Sequence, residues 1–252
     1  MTIAGSDTSG GAGIQADIKT ITSLGAHAMT AITALTAQNS LGITEIYKLP
    51  ARFISKQIEA IMDDVVPHSV KVGMLMSGAA VREVSKLMKK YGIERLVVDP
   101  VMMASTGRPL LDLEAIPLLK RMLFPLARVV TPNLQEAEAI TGIRVKGLHD
   151  MEKASKIIKE LGPDVIITGG HLEGRCVDLF YDGKEIHHFT GAKIATKDTH
   201  GTGCVFSAAL ATFLAMEKDI KRATQCAHNF VRRAIKSAYP CGRGAGVVRP
   251  SG

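Results

Sequence analysis

Tryptophan is absent from the 252 residues, and Phe and Tyr number only seven and four. With aromatics at 4% of the chain, a stacking platform for single-stranded nucleic acid is not expected. Cysteine is scarce as well. Cys176, Cys204, Cys226 and Cys241 show no C-x-x-C spacing, and no His pair completes a zinc pattern. They read as reduced thiols of a cytoplasmic protein. No apolar run approaches the length of a membrane span. The opening Met1-Thr2-Ile3-Ala4-Gly5 lacks the basic start and long apolar stretch of a signal peptide and reads as the end of a short strand. No G-x-x-x-x-G-K-[ST] occurs, which excludes a P-loop nucleotide binder.

Charge is present but uneven. The net charge is +7, yet residues 1–217 carry 23 basic and 23 acidic side chains. Residues 218–252 carry eight basic side chains against the single acid Asp219. A uniformly basic nucleic-acid binder would spread the excess along the chain. Here a neutral body carries a basic final segment, best read as a solvated helix face. Steering of an anionic ligand is the alternative.

Short β-branched runs alternate with helical periodicity. Helices are expected at 12–24, 51–65, 78–91, 113–123, 134–141, 150–161, 203–216 and 219–238. Between them lie strand-like runs at 28–36, 69–75, 96–98, 129–130 and 165–167. The runs 176–181 and 185–189 flank Asp182-Gly183, a hairpin signal. This alternation predicts a mainly parallel sheet covered by helices on both faces, in one domain without a linker or repeat. Ligands of such sheets sit beyond the carboxyl ends of the strands.

The residues that end the strands are informative. The loop Gly5-Ser6-Asp7-Thr8-Ser9-Gly10-Gly11-Ala12-Gly13 can approach a ligand closely. Gly11-Ala12-Gly13-Ile14-Gln15-Ala16 also fits G-x-G-x-x-A, but the next strand ends in Gln38-Asn39, with no acid to hold a ribose, so a dinucleotide site is disfavoured. The plain reading is a turn in which Asp7 bonds its own backbone, which alone does not account for so many glycines. Asp99 closes an apolar strand and needs a partner such as a metal. Asn133 and Glu136 are spaced as a capping box, with a functional role equally open for Asn133. Gly201-Thr202-Gly203-Cys204 opens a long apolar helix, leaving backbone N–H groups free for an anion. In that first turn the Cys204 thiol is expected to have a lowered pKa. Cys176 and Cys226 read as buried packing residues. Anion hole, carboxylates and thiol together suggest phosphoryl transfer.

These motifs resemble the hydroxymethylpyrimidine/phosphomethylpyrimidine kinases of thiamine biosynthesis, in the ribokinase-like superfamily. The resemblance lies in stretches 2–20, 35–39, 72–75, 97–103, 131–138, 169–172 and 198–209. It implies a single-domain three-layer α/β sandwich that uses ATP and Mg2+ and forms a homodimer. It implies that Gly5, Asp17, Gln38, Met74 and Val101 line a pyrimidine pocket. Asp99 and Glu136 would serve magnesium, and Asn133 and Thr199 would lie near the ATP phosphates. The amides of Gly201, Thr202, Gly203 and Cys204 would form the anion hole, with Cys204 orienting or deprotonating the acceptor hydroxyl. Neither nucleic acid nor membrane is an expected partner.

The chain departs from the family at Thr168, where a Lys often precedes Gly-Gly-His-Leu; Lys197 is a nearby substitute. Some relatives continue into a second thiamine-pathway domain, so residues 219–252 could form a junction. Pyridoxal kinase is the close alternative activity, and a non-catalytic pyrimidine sensor a distant one.

Overall fold

Val97, Val129 and Ile166 pack into one apolar layer, while Val98, Val130, Val165 and Ile167 pack into another. Such two-sided burial is what apolar, non-alternating strand sequences require. In a computed structural model, which describes residues 1–170, 172 and 175–251, these residues lie in a nine-stranded sheet.

The elements follow in order β1 (Thr2–Asp7), α1 (Gly13–Ser23), β2 (Thr30–Asn39), β3 (Gly42–Lys48), α2 (Ala51–Met62) and β4 (Val70–Val72). Next come α3 (Gly78–Lys90), β5 (Leu96–Val98), α4 (Ile116–Leu118), β6 (Val129–Val130), α5 (Leu134–Thr141) and α6 (Leu148–Lys159). The chain continues with β7 (Asp164–Ile167), β8 (Arg175–Tyr181), β9 (Ile186–Ala192), α7 (Thr202–Ala215) and α8 (Ile220–Lys236). The strand order is β3-β2-β1-β4-β5-β6-β7-β8-β9. The six strands from β2 to β7 pair in parallel, while β3, β8 and β9 are antiparallel at the edges.

α1, α7 and α8 cover the Val97 face, with Phe180, Phe206 and Phe230 filling it. α2, α3, α5 and α6 cover the other face through Ile54, Ile58, Val81, Val84, Ile140, Met151 and Ile158. The three-layer sandwich is therefore as expected. Two local differences have physical causes. β3 has no counterpart among the expected strands, because it is an edge strand with few buried positions. The segment 113–126 is a chain of 3-10, α and π turns rather than a regular helix. Pro117 and Pro125 remove backbone donors within it.

The basic α8 buries Ala223, Ala227, Phe230 and Ala234, and exposes Lys221, Arg222, Arg233 and Lys236. Its positive charge is a solvated face, as read from the sequence. Residues beyond it return to the body. Tyr239 and Val247 pair with each other, and His200 bridges to Val247. Of the segments singled out in the sequence, His171 and Gly252 lie outside the described residues. Among the described residues no helix is long and apolar enough to cross a membrane.

Candidate active site

The carboxyl ends of β1, β2, β4 and β5 meet the N-terminus of α7. α7 is almost wholly buried along its length, so its axis is held firmly against the sheet. Gly201 caps it with a left-handed backbone, φ 89°, and a Cβ there would lie 1.9 Å from the Gly11 carbonyl oxygen. Only glycine meets both demands. No side chain caps this helix and no acid lies in its first turn. Thr202 N–H is used by Thr199 O at 3.3 Å, and the helix dipole stands behind the next two amides, of Gly203 and Cys204. The helix start is thus uncapped by any side chain, and Thr199 beside it is exposed.

The glycine loop after β1 is different. Its amides are occupied by Asp7, whose carboxylate accepts from Ser9, Gly11 and Ala12 N–H at 2.8, 3.1 and 2.8 Å. The turn in which Asp7 bonds its own backbone is present, and these three donors are turned inward.

Gly5, Met74 and Val101 converge. Met74 and Val101 share an apolar cluster with Ala34, Met76 and Leu110. Gly5 lies so close that a Cβ would meet Met74 Cε at 2.2 Å. Gln38 stands at the end of β2, beside His200. Asp17 does not join this wall. It is fully buried on α1, with its oxygens 3.0 and 2.9 Å from Lys71 Nζ, and it accepts from Thr2 Oγ1 at 2.5 Å. The sequence placed it in the pocket as a ligand to the aminopyrimidine. Its hydrogen-bonding capacity is instead committed to Lys71 and Thr2.

Asp99 is 5% exposed and accepts from Ser207 Oγ at 2.8 Å. Part of the partner it needs is thus supplied by α7. Burial raises its pKa, against the opposing Lys71 charge and Ser207 bond. Glu136 and Asn133 do form a capping box, with Asn133 Oδ1 accepting from Glu136 N–H and Glu136 Oε2 from Asn133 N–H, both at 2.9 Å. Burial, and then the Asp99 charge, push Glu136 up to about 8. Asp99 and Glu136 are thus two buried carboxylates whose charged forms are disfavoured chiefly by burial. Magnesium is commonly held by one or two carboxylates together with phosphates and water. Asp99 and Glu136 fit it. A larger ligand set would not be needed, and among the described residues no cluster of three or more His, Cys, Asp or Glu occurs.

The raised Glu136 carries a stability consequence. Between its ordinary 4.5 and about 8, the folded protein holds a proton that the unfolded chain has released. Stability is then greatest at the acid side of this window and falls as pH rises through it. The melting temperature of the ligand-free protein should fall from about pH 5 to about pH 8, and Glu136→Gln should flatten that slope. An unchanged slope would assign the titration to another group.

Cys204 corrects the sequence reading most clearly. Burial pushes its thiol up to about 12, and the Asp17 and Asp99 charges add to this. Lys71 and the Gly13 N–H act in the opposite direction without prevailing. Cys176 and Cys226 are half-buried rather than buried. Thr168 N–H bonds Pro132 O at 3.0 Å, which sets Thr168 beside Asn133, while Lys197 is exposed before α7. The sequence reading missed Lys71 and His200. A lysine inside the apolar run Val70-Lys71-Val72 was the available signal, since a lysine on a buried strand must be paired.

An anion hole at a helix start, facing buried carboxylates across the ends of a parallel sheet, defines a ribokinase-like small-molecule kinase domain. Residues 7–249 match the family model for phosphomethylpyrimidine kinase. The chain is 43% identical over 249 residues to the hydroxymethylpyrimidine/phosphomethylpyrimidine kinase of Bacillus subtilis, covering 98% of this chain and 92% of that one. It is also 43% identical over 250 residues to a bifunctional thiamine biosynthesis protein of Geobacter sulfurreducens, covering 98% of this chain but only 51% of that protein. The ADP complex of Bacillus subtilis pyridoxal kinase superposes with a TM-score of 0.93 at 37% identity, covering 99% and 96% of the two chains. The chain belongs to the phosphomethylpyrimidine kinase family.

Proposed function

We propose that this chain transfers the γ-phosphoryl group of ATP to 4-amino-5-hydroxymethyl-2-methylpyrimidine and then to its monophosphate. The observation that carries this reading is the uncapped start of α7, directed at the ends of β1 and β5. There a phosphoryl group would meet free amides on one side and the Met74–Val101 wall on the other.

The residues divide the work by chemistry. Gly5, Met74 and Val101 hold the flat apolar ring, and Gln38 pairs with its polar edge. The amides of Gly201, Gly203 and Cys204 stabilise charge on the transferring group. Asn133 and Thr199 flank the nucleotide phosphates. Magnesium, held by Asp99 and Glu136, would neutralise phosphate charge. Cys204 is protonated near neutral pH, so it orients the acceptor hydroxyl rather than waiting as a thiolate. Phosphoryl transfer makes small demands on a base, which suits a positioning thiol. Two protomers are expected to associate, and the four free cysteines fit a reducing, cytoplasmic setting.

Product analysis with the pyrimidine alcohol, ATP and magnesium tests the reading. Monophosphate followed by diphosphate is expected. Because Thr168 brings no charge, the second step should be the slower one. Pyridoxal phosphorylation is the second reading, favoured by the close superposition on a pyridoxal kinase. Turnover of pyridoxal alone would replace the first reading by the second. Pyrimidine binding without turnover of either alcohol would make the protein a sensor.

A further inference from the structure

His200 lies in the loop that leads into α7, and its ring meets two groups. Nε2 is 2.9 Å from Asp7 Oδ2 and 3.4 Å from Gln38 Nε2 as the amide is drawn. Asp7 settles the first contact. It is 4% exposed, and its oxygens also accept from Ser9 Oγ at 2.7 Å and from three backbone amides. Burial pushes this carboxyl up, but the His200, Ser9 and Ala12 hydrogen bonds outweigh it and hold it at about 2. An ionised carboxylate only accepts. His200 Nε2 therefore carries a proton and gives it to Asp7.

A protonated Nε2 cannot accept from the Gln38 amide nitrogen. Amide oxygen and nitrogen are assigned from the hydrogen-bond network, and here the network is decisive. With Oε1 towards His200, the amide nitrogen faces Thr36 Oγ1, at the 3.2 Å contact. That hydroxyl already donates to Ser6 O at 2.9 Å, so its lone pairs can accept. Every donor then has an acceptor. The His200 Nε2 proton is then shared, chiefly with Asp7 Oδ2 at 2.9 Å and more weakly with Gln38 Oε1 at 3.4 Å, whereas the reverse orientation sets N–H against N–H.

The backbone that carries His200 is itself held in place. Its backbone N–H donates to Gly246 O at 3.2 Å, and its carbonyl accepts from Val248 N–H at 3.3 Å. Gly11 leaves room for the imidazole, since a Cβ there would lie 2.4 Å from Cδ2.

We propose that His200 is a positioning residue that fixes the Gln38 amide in one orientation, and so sets the donor and acceptor pattern offered to an aminopyrimidine. It deepens the functional reading above and rests on it. With Oε1 anchored at His200, the second amide N–H is left for a ring nitrogen and the second Oε1 lone pair for an exocyclic amine. Pyridoxal has no such amine beside a ring nitrogen, so the device selects between the two alcohols.

Two measurements test the proposal. In wild-type protein labelled with 15N-histidine, the His200 signal should show a protonated Nε2. A bare Nε2 with the proton on Nδ1 would overturn the proposal without reference to activity. In steady-state kinetics, His200→Leu should raise KM for the pyrimidine alcohol roughly tenfold, the scale of one hydrogen bond in binding. KM for ATP should move much less. His200→Gln, whose amide N–H can reach the Nε2 position, should recover most of the loss. In a Gln38→Ala background, His200→Leu should add nothing further to KM for the pyrimidine. An independent effect there, no recovery with Gln, or an equal rise in KM for ATP would overturn the proposal. If His200→Leu does not fold, the Gln variant and the 15N signal decide. Absence of pyrimidine turnover in wild type would reject the functional reading, while the 15N result would still judge the Asp7–His200–Gln38 arrangement.

Discussion

Lys71→Met is expected to destabilise the protein by about 3–5 kcal/mol, because it leaves the Asp17 carboxylate buried without its counter-charge. Both members of the pair are at most 1% exposed, and water cannot take over. Asp17 would retain only Thr2 Oγ1 as a donor. For a chain of this size the loss corresponds to a fall in melting temperature of roughly 10 °C. The double variant Lys71→Met with Asp17→Asn removes both charges, and the new amide can still accept from Thr2. It should recover much of the loss, since a buried ion pair is weak evidence for net stability while a broken one is costly. Urea or thermal unfolding of the wild type, both singles and the double would decide. A double variant as unstable as Lys71→Met would mean that the lysine stem, and not its charge, holds the site.

Cys204→Ala should lower turnover by about 100-fold or more, at the lower end of what a positioned acid–base group contributes. Cys204→Ser should retain considerably more, because a hydroxyl can orient the acceptor alcohol as the neutral thiol does. This order follows from the thiol being pushed up to about 12. A residue acting as a pre-formed thiolate would give another order, with Ser as inactive as Ala. Alkylation offers a separate check. At neutral pH iodoacetamide should label Cys204 slowly, with the rate rising into the alkaline range. Fast labelling at pH 7 would show that the Gly13 amide, the helix dipole and Lys71 outweigh burial after all.

The parts of the fold legible in the sequence were those set by local pattern. Val97-Val98, Val129-Val130 and Val165-Ile166-Ile167 announced buried parallel strands, and Asn133 and Glu136 announced a cap that is present atom for atom. β3 escaped because its edge position leaves most of its side chains outward, and half-exposed strands carry a weak signal. At the site, the glycine-start of α7 was legible because an anion hole is a backbone feature tied to adjacent residues. The pKa of Cys204 and the destination of Asp17 were not. Asp17 is claimed by Lys71, which lies 54 residues away and reaches it only through the pairing of β1 with β4, and the Cys204 thiol is raised chiefly by its burial in the folded site. A helix-start argument weighs the dipole alone. The folded site adds desolvation and two carboxylates, which win.

The strand of contacts around His200 also bears on how the enzyme is made. Asp7 precedes the Val247 that bridges to His200 by 240 positions. Domains begin to fold during synthesis, yet a contact cannot form before its later partner leaves the ribosome. β1, α1 and much of the parallel sheet can assemble on a growing chain. The imidazole cannot be clasped between the β1 loop and the returning segment until Val247 has emerged. The His200 arrangement should therefore form well after the sheet that carries it.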